Sequence, residues 1–128
     1  MNGEGLTYDT GALIAAERDD RLLWSLHRAA LKRGLSPVVP AGVLAQGWRG
    51  GPQHQLSRLL KGCEVEALTE QQARRVGTLA ARSGIHDTVD VTVVEGAVRR
   101  GNAVITSDPS HLQIVAEAAG YPLTLRVV

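Results

Sequence analysis

The stretch Ala103-Val104-Ile105-Thr106-Ser107-Asp108-Pro109-Ser110 decides the fold. Its first half is apolar and β-branched with no polar alternation, which predicts a strand covered on both faces, as strands of parallel sheets are. Its second half is made of helix-opening residues, so the spacing predicts a helix running on to Ala119. The same unit recurs upstream, where Leu6-Thr7-Tyr8-Asp9 is a short β-prone run ending in an acid, followed by Thr10-Gly11 and a helix over Ala12 to Glu17. Asp20 to Arg33 carries Leu22, Leu23, Leu26, Ala29 and Ala30 at helical spacing, and Gly34 ends it as a C-cap glycine does. Pro37-Val38-Val39-Pro40 is a second strand before a helix over Ala41 to Trp48. Gln53 to Lys61 is helical, and Cys63 to Leu68 is a weak third strand. Thr69-Glu70-Gln71-Gln72 reads as a capping box ahead of a helix to Arg82. A helix over Thr88 to Arg100 precedes the opening stretch, and Leu123 to Val127 is a fifth strand. Strands alternating with helices over short connections predict an α/β sandwich built on a parallel sheet.

At 128 residues and 13.6 kDa the chain has the size of one domain, and 1–128 is read as such. Hydrophobic residues are 44% and charged residues 21%, which excludes disordered and fibrous classes. Aromatics are only 3%, with no Phe, so an aromatic RNA-stacking surface is not expected and the core falls to Ala, Val, Leu and Ile. The net charge of +1 points to no particular partner. Arg74-Arg75 and Arg99-Arg100 read either as phosphate contacts or as solvated helix faces. One cysteine, Cys63, allows no intramolecular disulfide, and no Cys/His spacing suits zinc. The opening residues lack the pattern of an export signal and no apolar run is long enough to span a bilayer, so a cytoplasmic location without membrane attachment is the expectation.

In a parallel sheet, ligands gather beyond the carboxyl ends of the strands. Asp9 ends the first strand and Asp108 follows the fourth, so both belong at that edge. Asp87 and Asp90 open the helix over Thr88 to Arg100 at i, i+3 spacing. Singly, each acid is explained by helix capping or a turn. Together they repel one another unless a cation neutralises them, and Mg²⁺ or Mn²⁺, with hard oxygen ligands and retained waters, suits a loose carboxylate cluster. Such an ion orients a water for in-line attack on a phosphodiester.

The segments Leu6-Thr7-Tyr8-Asp9-Thr10-Gly11-Ala12-Leu13-Ile14-Ala15-Ala16-Glu17, Asp87-Thr88-Val89-Asp90-Val91 and Val104-Ile105-Thr106-Ser107-Asp108 resemble, in order, acidic motifs of PIN-domain proteins. The likeness spans essentially the whole chain and is greatest to VapC-type toxins of prokaryotic toxin-antitoxin pairs. It implies a PIN-like three-layer sandwich with a central parallel sheet of four to five strands. It also implies a magnesium-dependent endoribonuclease acting on RNA, inhibited by a small antitoxin protein and frequently homodimeric. Carried over, Asp9, Asp90 and Asp108 match the metal acids, and Asp87 is an accessory. The second acidic position departs: where the family has Glu, Ala41 to Arg49 offers Gln46, an amide that brings no charge, for which Asp87 or Glu95 would have to compensate.

Thr10, Thr106 and Ser107 flank the acids, as binders of a water or phosphate or as turn and cap residues. Arg49 beside Trp48 reads as a phosphate contact, and Trp48 itself as a packing or dimer anchor. His27, His54, His86 and His111 share no spacing and receive no catalytic part, with His86 beside Asp87 the one worth checking. Two alternatives accompany the nuclease reading: a catalytically weakened PIN domain that binds RNA or a protein, and a receiver-like signalling module. The latter is disfavoured because no Lys falls in a segment that reaches the acidic edge.

Overall fold

The computed structural model describes residues 4–128. The chain runs β1 (Leu6–Tyr8), α1 (Thr10–Glu17), α2 (Arg21–Lys32), β2 (Val38–Pro40), α3 (Ala41–Gly47), α4 (His54–Leu60), β3 (Glu64–Glu66), α5 (Glu70–Ser83), α6 (Thr88–Arg100), β4 (Ala103–Thr106), α7 (Ser110–Ala119) and β5 (Leu125–Val127). All five strands are parallel in the order β3-β2-β1-β4-β5. The chain lays strands outward from β1 to β3, then returns past β1 to place β4 and β5. Right-handed crossovers on opposite sides of such a reversal put their helices on opposite faces. Accordingly α1 to α4 gather around α1 on one face and α5 to α7 pack on one another on the other, giving the expected three layers.

The first and fourth strands are buried at every position because helices cover both faces, as the apolar run of β4 predicts. Tyr8, Leu13, Leu23, Leu56, Leu59, Ile105 and Leu112 are almost wholly buried, each contributing about 1.5–3 kcal/mol of transfer free energy. A buried hydroxyl needs a partner. The Tyr8 hydroxyl lies 2.8 Å from His27 Nδ1, and Trp24 meets the same imidazole edge-on at 5.5 Å. Burial pushes the His27 pKa down, which disfavours the charged imidazolium at this core position. At Gly47 an added Cβ would lie 3.0 Å from Leu13 Cδ1, so glycine there eases the close packing of α3 on α1.

A partly buried polar lattice fixes α6 against the sheet. Glu66 Oε1, at the end of β3, accepts from Arg99 Nη2 at 2.9 Å and from Arg100 Nη1 at 2.8 Å, and Arg100 Nη2 reaches Thr7 Oγ1 at 2.9 Å. Glu95 accepts from Gln72 Nε2 at 2.8 Å, Arg75 Nε at 2.9 Å and Arg99 Nε at 3.2 Å. The paired arginines are therefore tied to acids within the fold: Arg74 bonds Glu70, and the others hold Glu95 and Glu66. The capping box forms only by half. Thr69 accepts from the Gln72 amide at 3.1 Å, but the Gln72 side chain is drawn inward to Glu95 instead of back to Thr69. The last strand is shorter than its β-prone run, beginning at Leu125 and not Leu123.

Candidate functional site

The order reversal between β1 and β4 leaves a crevice where loops diverge at the carboxyl edge, the standard ligand position of an open parallel sheet. Asp9 leaves β1 into it as the N-cap of α1, with its Oδ1 accepting from the Ala12 amide at 2.9 Å. The Asp9 amide donates to the Ile105 carbonyl at 3.2 Å, tying this residue to β4. Burial raises the Asp9 pKa, Thr106 and backbone donors oppose that, and the charge of Asp90 adds to the rise.

Because α6 feeds β4 from the opposite edge, its N-terminus points at the same crevice as Asp9. Asp87 is its N-cap and accepts from the Val89 and Asp90 amides, so the capping role read for Asp87 is the one it performs. Asp90, one turn inward, is half-buried. Its pKa is raised by burial first, then by the charge of Asp87, with a lowering contact from His111 and a further raising charge from Asp108. Asp90 thus shares a charge interaction with each of Asp9, Asp87 and Asp108.

Asp108 sits in the loop from β4 to α7. Thr106 Oγ1 accepts from the Asp108 amide and donates to its carbonyl, both at 3.1 Å, so a nearly buried threonine shapes the turn that carries the acid. Asp108 Oδ1 accepts from the Ser110 hydroxyl at 2.8 Å and its amide at 3.2 Å, which hold the carboxyl below its ordinary range. Ser107 abuts Gly11: a Cβ there would meet Ser107 Oγ at 2.2 Å and Ser107 N at 3.0 Å. The missing side chain at Gly11 lets the first turn of α1 touch the β4–α7 loop, bringing the elements of Asp9 and Asp108 together.

Gln46, on α3, accepts a hydrogen bond from the Thr10 hydroxyl through its Oε1. The departed acid position therefore does lie beside Asp9 in the chain's first helical turn, but its carbonyl oxygen is already engaged. Among the described residues, no three His, Cys, Asp or Glu side chains close on a common point.

Two expected neighbours lie elsewhere. Arg49 does not flank the acids: its guanidinium bonds Glu17 at 2.7 and 3.2 Å, at the far end of α1 from Asp9, because Gln53 bonds both the Gly47 carbonyl and the Arg49 amide and turns the loop that way. Glu95 cannot stand in for the missing acid, because Gln72, Arg75 and Arg99 consume its acceptor capacity. In the other direction, His111 was passed over as lacking shared spacing, yet its Nδ1 lies 3.5 Å from Asp90 Oδ2. The signal available was its place: Ser110-His111 opens the helix after β4, and helix N-termini in this fold converge on the acidic edge.

Against known proteins, no family model and no curated sequence matches the chain. A solved structure does: a chain of VapBC2 from Rickettsia felis, bound to a DNA fragment from their promoter, superposes with a TM-score of 0.67 over 95% of this chain and 97% of that one. The fold is PIN-like. At 14% identity the likeness carries the architecture and not the chemistry. Among the described residues no helix is long and apolar enough to cross a membrane.

Proposed function

We propose that this chain is a divalent-metal-dependent endoribonuclease and the toxin of a toxin-antitoxin pair. The observation that carries the reading is the crowding of carboxylates at the carboxyl edge: burial pushes both Asp9 and Asp90 toward their neutral forms, with the charge of Asp90 adding to the effect at Asp9 and those of Asp87 and Asp108 adding to it at Asp90. A fold retains such carboxylates at a stability cost, and a hard cation is what relieves it. The donor set fits Mg²⁺ or Mn²⁺, since Asp9, Asp90 and Asp108 offer only hard oxygens and the looseness of the cluster suits an ion that keeps several waters. When bound, the metal supplies Lewis-acid activation of a water and charge neutralisation at the phosphodiester.

The chain's own residues then have distinct parts. Asp90 and Asp9 would hold the cation, with Asp108 contributing from the β4–α7 loop, and Asp87 rigidifies the helix turn that carries Asp90. His111, 3.5 Å from Asp90, holds that carboxylate in place or reaches toward the scissile phosphate. Thr106 and Ser107 fix the β4–α7 loop, and Thr10 orients Gln46 as a neutral neighbour of Asp9. The likeness to a chain of the VapBC2 complex supports an antitoxin partner; homodimerisation and a cytoplasmic location belong to the same reading.

The test is cleavage of a fluorescently labelled RNA by the purified chain. Mg²⁺- or Mn²⁺-dependent cutting that vanishes in Asp90→Asn is expected. No cleavage of any RNA, together with normal growth of cells expressing the chain alone, would overturn it. A second reading has its own observation: Gln46 removes one charge and its oxygen is engaged by Thr10. On that reading the chain is a weakened PIN domain that binds RNA or protein, and metal binding without turnover is its signature.

A further inference from the structure

Away from the acidic crevice, α5, α6 and the turn after α7 line an open cavity of about 720 Å³, within the range of small-molecule sites. Its wall carries Arg74, Arg75, Arg82 and Arg99 against a single carboxylate, Glu95. That carboxylate is already satisfied by Gln72, Arg75 and Arg99, whose side chains remain 46% and 37% exposed for the two arginines. Arg82 makes no side-chain hydrogen bond or ion pair among the described residues. Arg74 and Arg99 are committed to Glu70 and Glu66, so Arg82 and the outer end of the half-exposed Arg75 are the guanidinium donors the cavity offers, which favours an anionic occupant over a metal cation. Guanidinium forks match phosphate oxygens.

Apart from Thr78, the rest of the lining is apolar or aromatic. Leu79, Val98 and Ala119 form the floor, and Tyr121, with 64% of its surface exposed in a protein with only two tyrosines, stands at the rim. An exposed aromatic ring beside an apolar floor and a cationic wall suits a flat heteroaromatic group attached to a phosphate. The floor alone would take any apolar ligand and the wall alone any anion; only the combination selects both ends.

We propose that this cavity binds a nucleotide carrying a terminal phosphate, with the phosphate on Arg82 and Arg75 and the base against Tyr121. The site lies toward the C-terminal ends of α6 and α7, whereas Asp90 and His111 lie at their N-terminal ends, so it is separate from the carboxylate crevice and does not depend on the nuclease reading.

Isothermal titration of the full chain in metal-free buffer tests it, with adenosine 5′-monophosphate, a 5′-phosphorylated dinucleotide, adenosine and inorganic phosphate as probes. The monophosphate is expected to bind saturably and more tightly than either adenosine or phosphate. Arg82→Ala is expected to weaken it by about tenfold or more, the effect of losing one charge-assisted contact. Tyr121→Ala is expected to weaken the nucleotide but leave phosphate unchanged, and Asp90→Asn to leave both unchanged. Tighter binding of the dinucleotide would assign the site to the end of a strand; equal binding would assign it to free nucleotide. Both substitutions lie on exposed side chains, and a matching circular dichroism spectrum verifies folding. No saturable binding of the monophosphate, binding indifferent to both Arg82→Ala and Tyr121→Ala, or binding abolished by Asp90→Asn would each overturn the proposal.

Discussion

Replacing Glu95 with Ala separates an acid that builds the fold from one that serves the crevice. Glu95 is 8% exposed and accepts from Gln72 at 2.8 Å, Arg75 at 2.9 Å and Arg99 at 3.2 Å. Breaking a fully buried ion pair costs about 3–5 kcal/mol because the surviving charge is stranded. Here Arg75 and Arg99 are each more than a third exposed and stay hydrated, so that figure is discounted. What remains is a lost set of charge-assisted bonds and the Gln72 amide, left with only a 3.4 Å contact to Glu66, or about 2–3 kcal/mol in all. For a chain of 128 residues this corresponds to a fall in Tm of roughly 8–12 °C. Differential scanning calorimetry measures it, and Mn²⁺ titration of the same variant is expected to show unchanged affinity. Glu95→Gln, which keeps an acceptor, is expected to lose about half as much stability. A Tm within about 3 °C of the parent, joined to a tenfold loss of Mn²⁺ affinity, would refute the assignment and make Glu95 a metal ligand.

Four further outcomes are expected. Desolvation raises the pKa values of the buried Glu95 and the partly buried Glu66, but bonds from Arg99, Arg75, Gln72 and Arg100 outweigh it and hold both below the ordinary 4.5. Their contribution is thus present above that pH and lost as the pH falls through the lowered folded values, so an acid unfolding titration of Glu95→Ala should show a flatter acid limb than the parent. Asp90→Asn relieves a half-buried charge repelled by Asp87 and Asp108, so in chelator it should raise Tm by a few degrees while abolishing Mg²⁺-dependent stabilisation; a lower Tm in chelator would count against the repulsion. Gln46→Glu keeps the bond from Thr10 and adds a charge beside Asp9, so Mn²⁺ affinity should rise by about tenfold, read by calorimetric titration. Gly11→Ala drives a methyl into Ser107, including its backbone amide, so a loss of about 1–3 kcal/mol in urea unfolding is expected, with Ser107→Ala restoring only part of it.

Much of the architecture is legible in local pattern. The two-sided apolar run of β4 declares a parallel sheet, and the alternation of short strands with amphipathic helices declares its layers. Asp9, Asp90 and Asp108 are legible as edge residues because a residue after a parallel strand, or at the start of a helix feeding the next one, has only one end of the sheet to occupy. Cap chemistry at Asp87 and Thr69 is equally local, since it involves amides two or three residues away.

What the sequence by itself determined is therefore the fold class and the edge at which the acids gather, because both depend on periodicity and on chain direction. Tertiary structure alone decided which charges meet. His111 reaches Asp90 from a different helix, Gln72 turns away from its own cap to serve Glu95, and Arg49 swings to Glu17 because Gln53 holds the loop. Partners separated by up to dozens of residues carry no spacing signal, and a long polar side chain settles on whichever buried acceptor would otherwise stay unsatisfied.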